Sequence, residues 1–178
     1  MSMSKKDFIA LADANGSTKH TPGPWVVKST DEDINTKTII DSNEFWIAKV
    51  LNFNHASDDI GESRANANLI AAAPAMYEAL SQVQAFIQTL VEADVLAYPT
   101  KLTDAVELAL AQAEGKQGEA QANAALIAAA PAMYQELVKQ RDWLLHVMKQ
   151  VQAPASVMLG FEQSIKYLNL TIAQAEGK

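Results

Sequence analysis

The sequence predicts an α+β protein that is mostly α: a small antiparallel β-sheet followed by two tandem antiparallel helix pairs that pack as a four-helix bundle. Short runs of β-branched and aromatic residues, separated by turn residues, fill residues 20–61. From residue 62 onward, apolar residues recur at helical spacing. The helical sequence also repeats, because residues 65–77 (ANANLIAAAPAMY) and 122–134 (ANAALIAAAPAMY) agree at 12 of 13 positions. Such a match indicates a tandem duplication.

Residues 1–19 are predicted to form a short helix and a linker. Ser4 can cap the helix, and Asp7 lies three residues on as a weaker form of the capping box. Phe8 contributes to an apolar side of this helix. The helix should end at Asn15–Gly16, since both residues tolerate the left-handed conformation of a helix stop.

The β segment, residues 20–61, begins with the sequence HTPGPW. Two prolines exclude a helix there, and Gly23 suits the third position of a type II turn. Three or four strands should follow, with Asp41–Glu44 connecting two of them as a hairpin. A sheet this small must lay one face on another element. The residues expected to face inward are Trp25, Ile39, Val50 and one of Phe45 and Trp46.

The two helix pairs are predicted at residues 62–116 and 118–178, because each copy also closes with AQAEGK. Pro74 and Pro131 lie at equivalent places in the two copies. A proline inside a helix removes a backbone hydrogen bond and clashes with the preceding turn, but it is well placed as the first residue of a helix. We therefore expect a short helix that bends at Ala73 into a long one, and likewise near Ala130.

The composition argues against several classes of function. The formal charge is −7, and only two residues are arginine, so no DNA or RNA partner is expected. The absence of cysteine excludes disulfides, thiolate metal sites and cysteine nucleophiles. No apolar run has the length of a secretion signal or a membrane span, which predicts a cytoplasmic protein that does not bind membranes.

Neither a catalytic site nor a metal site is predicted. His20, His55 and His146 lack metal-ligand spacing to one another or to carboxylates. The acidic clusters Asp31–Asp33 and Asp58–Asp59 do not follow the calcium-loop pattern. There is also no glycine-rich phosphate loop and no GxSxG. The sequence thus predicts a protein that is not an enzyme, with no catalytic residues, no metal and no cofactor.

Asparagines inside the predicted helices are the candidate binding residues, because an asparagine amide competes for backbone hydrogen bonds in a helix. Each amide could cap a neighbouring loop or strand end, or it could contact a ligand or partner. A nearby arginine could bind an anion, and a tryptophan could line the same site. The candidate binding residues are Trp25, Arg64, Asn66, Asn68 and Asn123.

The alanine runs Ala71–Ala73 and Ala128–Ala130 give a smooth helix surface that another element can approach closely. This surface could pack within the chain, or it could serve self-association and give a homo-oligomer.

HTPGPW at 20–25, followed by ANANLIAAAPAMYEAL at 65–80, resembles the Ead-like early-region proteins of tailed phages and prophages. The resemblance covers residues 20–116, and residues 118–178 look like a second copy of its helical end. Members often carry arginine before LIAAAP, where this chain has Asn68 and Ala125. The resemblance implies a setting in a bacterial cytoplasm during phage infection or lysogeny.

Two functions follow as hypotheses. The first is a phage accessory protein that docks onto a host or phage protein through the helical bundle, for example against anti-phage immunity. The alternative is a protein that sequesters a nucleotide-like signal between sheet and helices, using Trp25, Arg64 and Asn66.

Overall fold

The computed structural model describes residues 21–29, 36–51, 60–95, 100–113 and 119–178. The N-terminal helix expected within residues 1–19 lies outside these ranges. Within them, three strands form one antiparallel sheet in the order β1-β2-β3. The strands are β1 (Val26–Ser29), β2 (Thr36–Ile40) and β3 (Trp46–Leu51).

The hairpin between β2 and β3 confirms the predicted connection at residues 41–44. The Asp41 carboxylate accepts hydrogen bonds from the backbone N–H groups of Asn43 and Phe45, both at 2.9 Å. An acidic side chain that binds its own turn in this way fixes the turn locally. Asp41 therefore determines where β3 begins.

One face of the sheet packs on the helices. Val27 pairs with Ile39, and Ile39 pairs with Ala48, so this row of apolar side chains lies on the same face. Trp25 and Ile39 are buried and Val50 is half-buried, as the sequence predicted.

The prediction that Phe45 or Trp46 faces inward is wrong. The two side chains are 70% and 76% exposed. A β-bulge between Ile39 and Ile40 shifts the pairing, so that Ile40 lies opposite Trp46. A bulge reverses which residues of a strand face the core beyond that point, and the alternating pattern does not reveal it.

Five helices follow the sheet within the described residues. The helix α1 packs on all three strands and on the second copy, while the other four helices pack together. This arrangement confirms the α+β, mostly α fold class. The helices are α1 (Ile60–Ala71), α2 (Ala73–Glu92), α3 (Thr100–Ala113), α4 (Glu119–Gln150) and α5 (Ala155–Ala175).

The two copies of the helical sequence bury the same positions. Residues 103–113 of α3 correspond to residues 165–175 of α5. Equivalent positions are buried, half-buried or exposed alike, except for Ala111 and Ala173. The apolar stripe predicted for the first copy is fully buried, as is its counterpart in the second. The buried residues of these stripes are Met76, Leu80, Val83, Ile87 and Leu90 in α2, and Met133, Leu137, Leu144 and Val147 in α4. Val151, the last residue of the predicted second stripe, lies just beyond α4 and is half-buried.

The two equivalent prolines have different effects. The first copy breaks at Ala72, between α1 and α2, and Pro74 lies in the first turn of α2. The break expected near Ala130 is wrong, because α4 continues through Pro131. Pro131 is exposed, so water can bond the carbonyl that loses its N–H partner, whereas Pro74 is buried.

Candidate functional site

The residues 21–25, here called the TPGPW segment, run beside a cleft of about 250 Å³ between the two copies, and Gly23, Pro24 and Trp25 form one of its walls. We call this the first cleft. Its other walls come from α1, α2 and α5, and they carry Ala71, Pro74, Ala75, Glu78 and Gln174.

Gly23 allows the segment to approach α2 closely. A Cβ atom added to Gly23 would lie 3.1 Å from the Pro74 Cβ, which is tighter than ordinary contact. The type II turn predicted for this glycine is wrong, because that turn requires a positive φ at its third position and Gly23 does not have one. Glycine is thus used here for close contact with Pro74.

Trp25 anchors the segment in the core. Its side chain is 2% exposed, and its indole N–H donates a hydrogen bond to the Thr21 carbonyl at 3.2 Å. A buried tryptophan with a partner for its N–H contributes a large apolar area to stability. Its ring is not on the surface, where a ligand would stack.

Asn123 of the second copy holds the start of the segment. Its side-chain oxygen accepts a hydrogen bond from the Thr21 N–H at 2.8 Å, and its side-chain N–H₂ donates to the Thr21 hydroxyl at 2.8 Å. The amide therefore satisfies a backbone and a side-chain group of one residue at once.

The other candidate residues lie apart from this contact. Arg64 and Asn66 are exposed on α1. Asn68 is half-buried and faces the C-terminal end, where a Cβ on Gly177 would overlap its amide. Gly177 has φ +72°, a conformation that favours glycine. The structure thus brings Trp25 and Asn123 together around Thr21 and leaves the remaining three separate.

The sequence did not predict an exposed apolar surface on the sheet. Val26, Phe45 and Trp46 are 51%, 70% and 76% exposed. We call these three residues the aromatic face. Val26 and Trp46 both lie opposite Ile40, so they share one row of the outer sheet surface. The dipeptide Phe45-Trp46 was a signal, since in a regular strand only one of two neighbours can face inward.

Lysines border the aromatic face. Lys28 of β1 and Lys49 of β3 both pair with Thr38 of β2. These side chains form the row next to that of Val26 on the outer sheet surface. Both are exposed, and Lys28 reaches Glu44 at 3.5 Å. Exposed ion pairs of this kind contribute little to stability. The outer sheet surface therefore combines apolar and basic groups on a chain of net charge −7.

A shallow groove of about 390 Å³ lies between α4 and α5. Leu145, Met148, Ile165 and Leu170 give it an apolar wall. No group of three or more histidine, aspartate or glutamate side chains in the described ranges could hold a metal ion. Over those same ranges, no helix has the length and apolar character needed to cross a membrane.

The chain matches a known protein family. The family model described as Salmonella phage P22 protein Y8K6 matches residues 3–117. The matched region contains the β segment and the first helix pair, and α4 and α5 lie beyond it. No curated protein and no solved structure matches the chain.

Proposed function

The chain belongs to the family of Salmonella phage P22 protein Y8K6. From that premise we propose that it is a non-enzymatic phage accessory protein, and that it binds another protein through its aromatic face. The resemblance of its sequence to Ead-like early-region proteins supports a partner in the infected bacterium. The partner in this proposal is a host protein, and anti-phage immunity is the host system we favour.

The exposure of the aromatic face is the observation that carries this proposal. Phe45 and Trp46 are adjacent in the chain and mostly in water, with Val26 beside Trp46 on the sheet. Contiguous exposed apolar surface marks interaction sites in soluble proteins. Tryptophan also dominates binding free energy at interfaces, because its large ring loses much water contact in a partner's pocket.

The aromatic face is held rigidly before binding. The Phe45 N–H bonds the Asp41 carboxylate at 2.9 Å, and the Phe45 carbonyl accepts from the Asp41 N–H at 3.0 Å. On the opposite face of the sheet, Trp25 and Ile39 are fixed in the core. A surface ordered in advance loses less conformational entropy on binding.

Charge indicates the kind of partner surface. Lys28 and Lys49 flank the aromatic face, whereas the whole chain is acidic. A partner with an apolar pocket bordered by carboxylates would match both features, and its charges would speed association. A nucleotide-like ligand has less support among the described residues, because the Trp25 ring is buried.

A capture experiment with matched variants tests the proposal. The full chain is tagged and incubated with lysate of its bacterial host, and captured proteins are identified by mass spectrometry. The variants are Trp46→Ala and, as a control, Leu108→Ala on the helical bundle, where Leu108 is 60% exposed. We expect a partner that is retained by Leu108→Ala and lost by Trp46→Ala.

Calorimetry with the purified partner then measures how much affinity the Trp46→Ala variant loses. Removal of a central interface tryptophan should weaken binding by a factor of about 30, the equivalent of a hot-spot residue. A Lys49→Glu variant should bind more slowly, with a smaller dependence on salt. A partner that binds Trp46→Ala as tightly as the unmodified chain would exclude the aromatic face.

A further inference from the structure

The duplicated helices differ in burial on one surface. Ala71 and Pro74 are buried in the first copy, whereas their counterparts Ala128 and Pro131 are exposed. The sequence on this surface is the same in both copies. The difference therefore comes from what lies against each copy. Ala67 and Ala124 follow the same pattern one turn earlier.

The TPGPW segment covers this surface in the first copy. Gly23 lies closely against Pro74, and the segment lines the first cleft together with Ala71, Pro74 and Gln174. The counterparts of these residues are Ala128 and Pro131 in α4 and Gln112 in α3. Ala128 and Pro131 are exposed where Ala71 and Pro74 are buried, and Gln112 is exposed like Gln174. We call this equivalent surface the second cleft. It offers an apolar floor of the same composition as one that binds a proline-glycine-proline segment.

A second, independent difference involves the paired asparagines. Asn123 binds Thr21 with two hydrogen bonds, and its neighbour Ala122 is 1% exposed. In the first copy, the equivalent Asn66 and Ala65 are both exposed. The segment therefore rests on one copy and is held by the asparagine of the other. By the same relation, a segment in the second cleft would meet Asn66.

We propose that the second cleft binds a TPGPW segment supplied by a second polypeptide, with Asn66 holding its threonine as Asn123 holds Thr21. This chain contains a single TPGPW sequence, and that sequence lies against Pro74 at the first cleft. The family model matches residues 3–117, which include this segment and one helix pair, and the second polypeptide in this proposal is another member of that family.

The contacts of the TPGPW segment at the first cleft indicate what the second cleft would recognise. The segment must have glycine between its prolines, since a Cβ there would press on the proline of the cleft as it would on Pro74. It must also present a threonine N–H and hydroxyl to the amide of Asn66, as Thr21 does to Asn123. This site lies on the helices and does not depend on the aromatic face of the sheet.

A peptide titration tests the proposal on the full chain. The probe is a synthetic peptide with the sequence of residues 20–29, HTPGPWVVKS. Binding is measured by calorimetry. We expect one peptide per chain, at least tenfold weaker binding to Asn66→Ala and to Ala128→Glu, and no binding of a peptide carrying Gly23→Ala. Asn66 and Ala128 are exposed, so both variants should fold, which thermal melting checks.

The Asn123→Ala variant separates the second cleft from the first. A peptide that displaced the chain's own segment would depend on Asn123 and not on Asn66. We expect unchanged or stronger binding to Asn123→Ala. Loss of binding in Asn123→Ala with retention in Asn66→Ala would overturn the proposal. An absence of binding to the unmodified chain would overturn it as well, and would indicate that the chain itself covers the second cleft.

Discussion

Asn123 and Thr21 are joined by two hydrogen bonds of 2.8 Å, although 102 residues separate them in the chain. The contact ties the second helix pair to the segment that precedes the sheet. Asn66 occupies the equivalent position in the first copy and is exposed. The two asparagines therefore have different surroundings. The duplicated sequence is thus used asymmetrically.

We expect Asn123→Ala to lower the free energy of unfolding by about 1–2 kcal/mol, because two hydrogen bonds to a partly buried threonine are lost. Asn66→Ala is the matched control and should change stability by less than about 0.5 kcal/mol. Urea denaturation followed by circular dichroism measures both. Equal effects of the two substitutions would contradict the assigned role of Asn123.

Gln140 lies in the core without a partner among the described residues. Its side chain is 0% exposed, and neither its amide nitrogen nor its oxygen is hydrogen-bonded. The first copy has buried Val83 at this position. We expect Gln140→Leu to raise the free energy of unfolding by about 1–3 kcal/mol, since an unsatisfied buried amide is removed. The reverse change, Val83→Gln, should lower it; a neutral Gln140→Leu would indicate an unseen partner.

Replacement of the two equivalent prolines by alanine should change the stability of the protein in opposite directions. Pro131→Ala restores an N–H group within α4 at an exposed position, and we expect a gain of about 1–2 kcal/mol in stability. Pro74→Ala removes a ring packed against Gly23, and should cost about 1 kcal/mol. Thermal unfolding of the two variants tests the contrast, which fails if both shift the melting temperature the same way.

Gly160 leaves space for a ring on α2. A Cβ at this position would lie 2.7 Å from Cε2 of Phe86. The rings of Phe86 and Phe161 meet edge-to-face, with their centroids 5.3 Å apart. Alanine is favoured over glycine in a helix by about 1 kcal/mol, but overpacking costs about 1–3 kcal/mol. Gly160→Ala should therefore stabilise the Phe86→Ala variant and not the unmodified chain. A double-mutant cycle with additive effects would exclude this contact.

Tyr134 connects α4 to the C-terminal end of α5. Its hydroxyl donates a hydrogen bond to the Glu176 carboxylate at 2.7 Å, and this bond raises the pKa of Tyr134. Hydrogen bonds from Lys178 and from Tyr134 lower the pKa of Glu176. A lowered carboxyl pKa contributes stability above its unfolded value, and that contribution is lost as pH falls through the folded value.

We accordingly expect Tyr134→Phe to lower the urea midpoint at pH 7. The difference between the variant and the unmodified chain should shrink as pH falls through the lowered pKa of Glu176, because the carboxylate then takes up a proton. It should also shrink above about pH 10, since the raised pKa of Tyr134 contributes only while the phenol keeps its proton. A difference that is constant from pH 3 to pH 7 would rule out the bond to Glu176.

Local sequence patterns were sufficient for much of the fold. The apolar stripe from Met76 to Leu90 is buried as its helical spacing predicted. The hairpin at residues 41–44 followed from turn residues that bond their own backbone. The duplication required only comparison of the chain with itself. Each of these features depends on residues that are close in the sequence or identical between copies.

Long-range contacts decided the features that the sequence left open. A bulge opposite Trp46 placed the Trp46 ring in water, and a strand pattern does not encode its partner's register. The two copies share nearly one sequence, yet only the second supplies an asparagine to Thr21. The sequence by itself determined the elements and the repeat. The tertiary structure alone decided which copy the TPGPW segment covers, because a single segment can lie against only one of two equivalent surfaces.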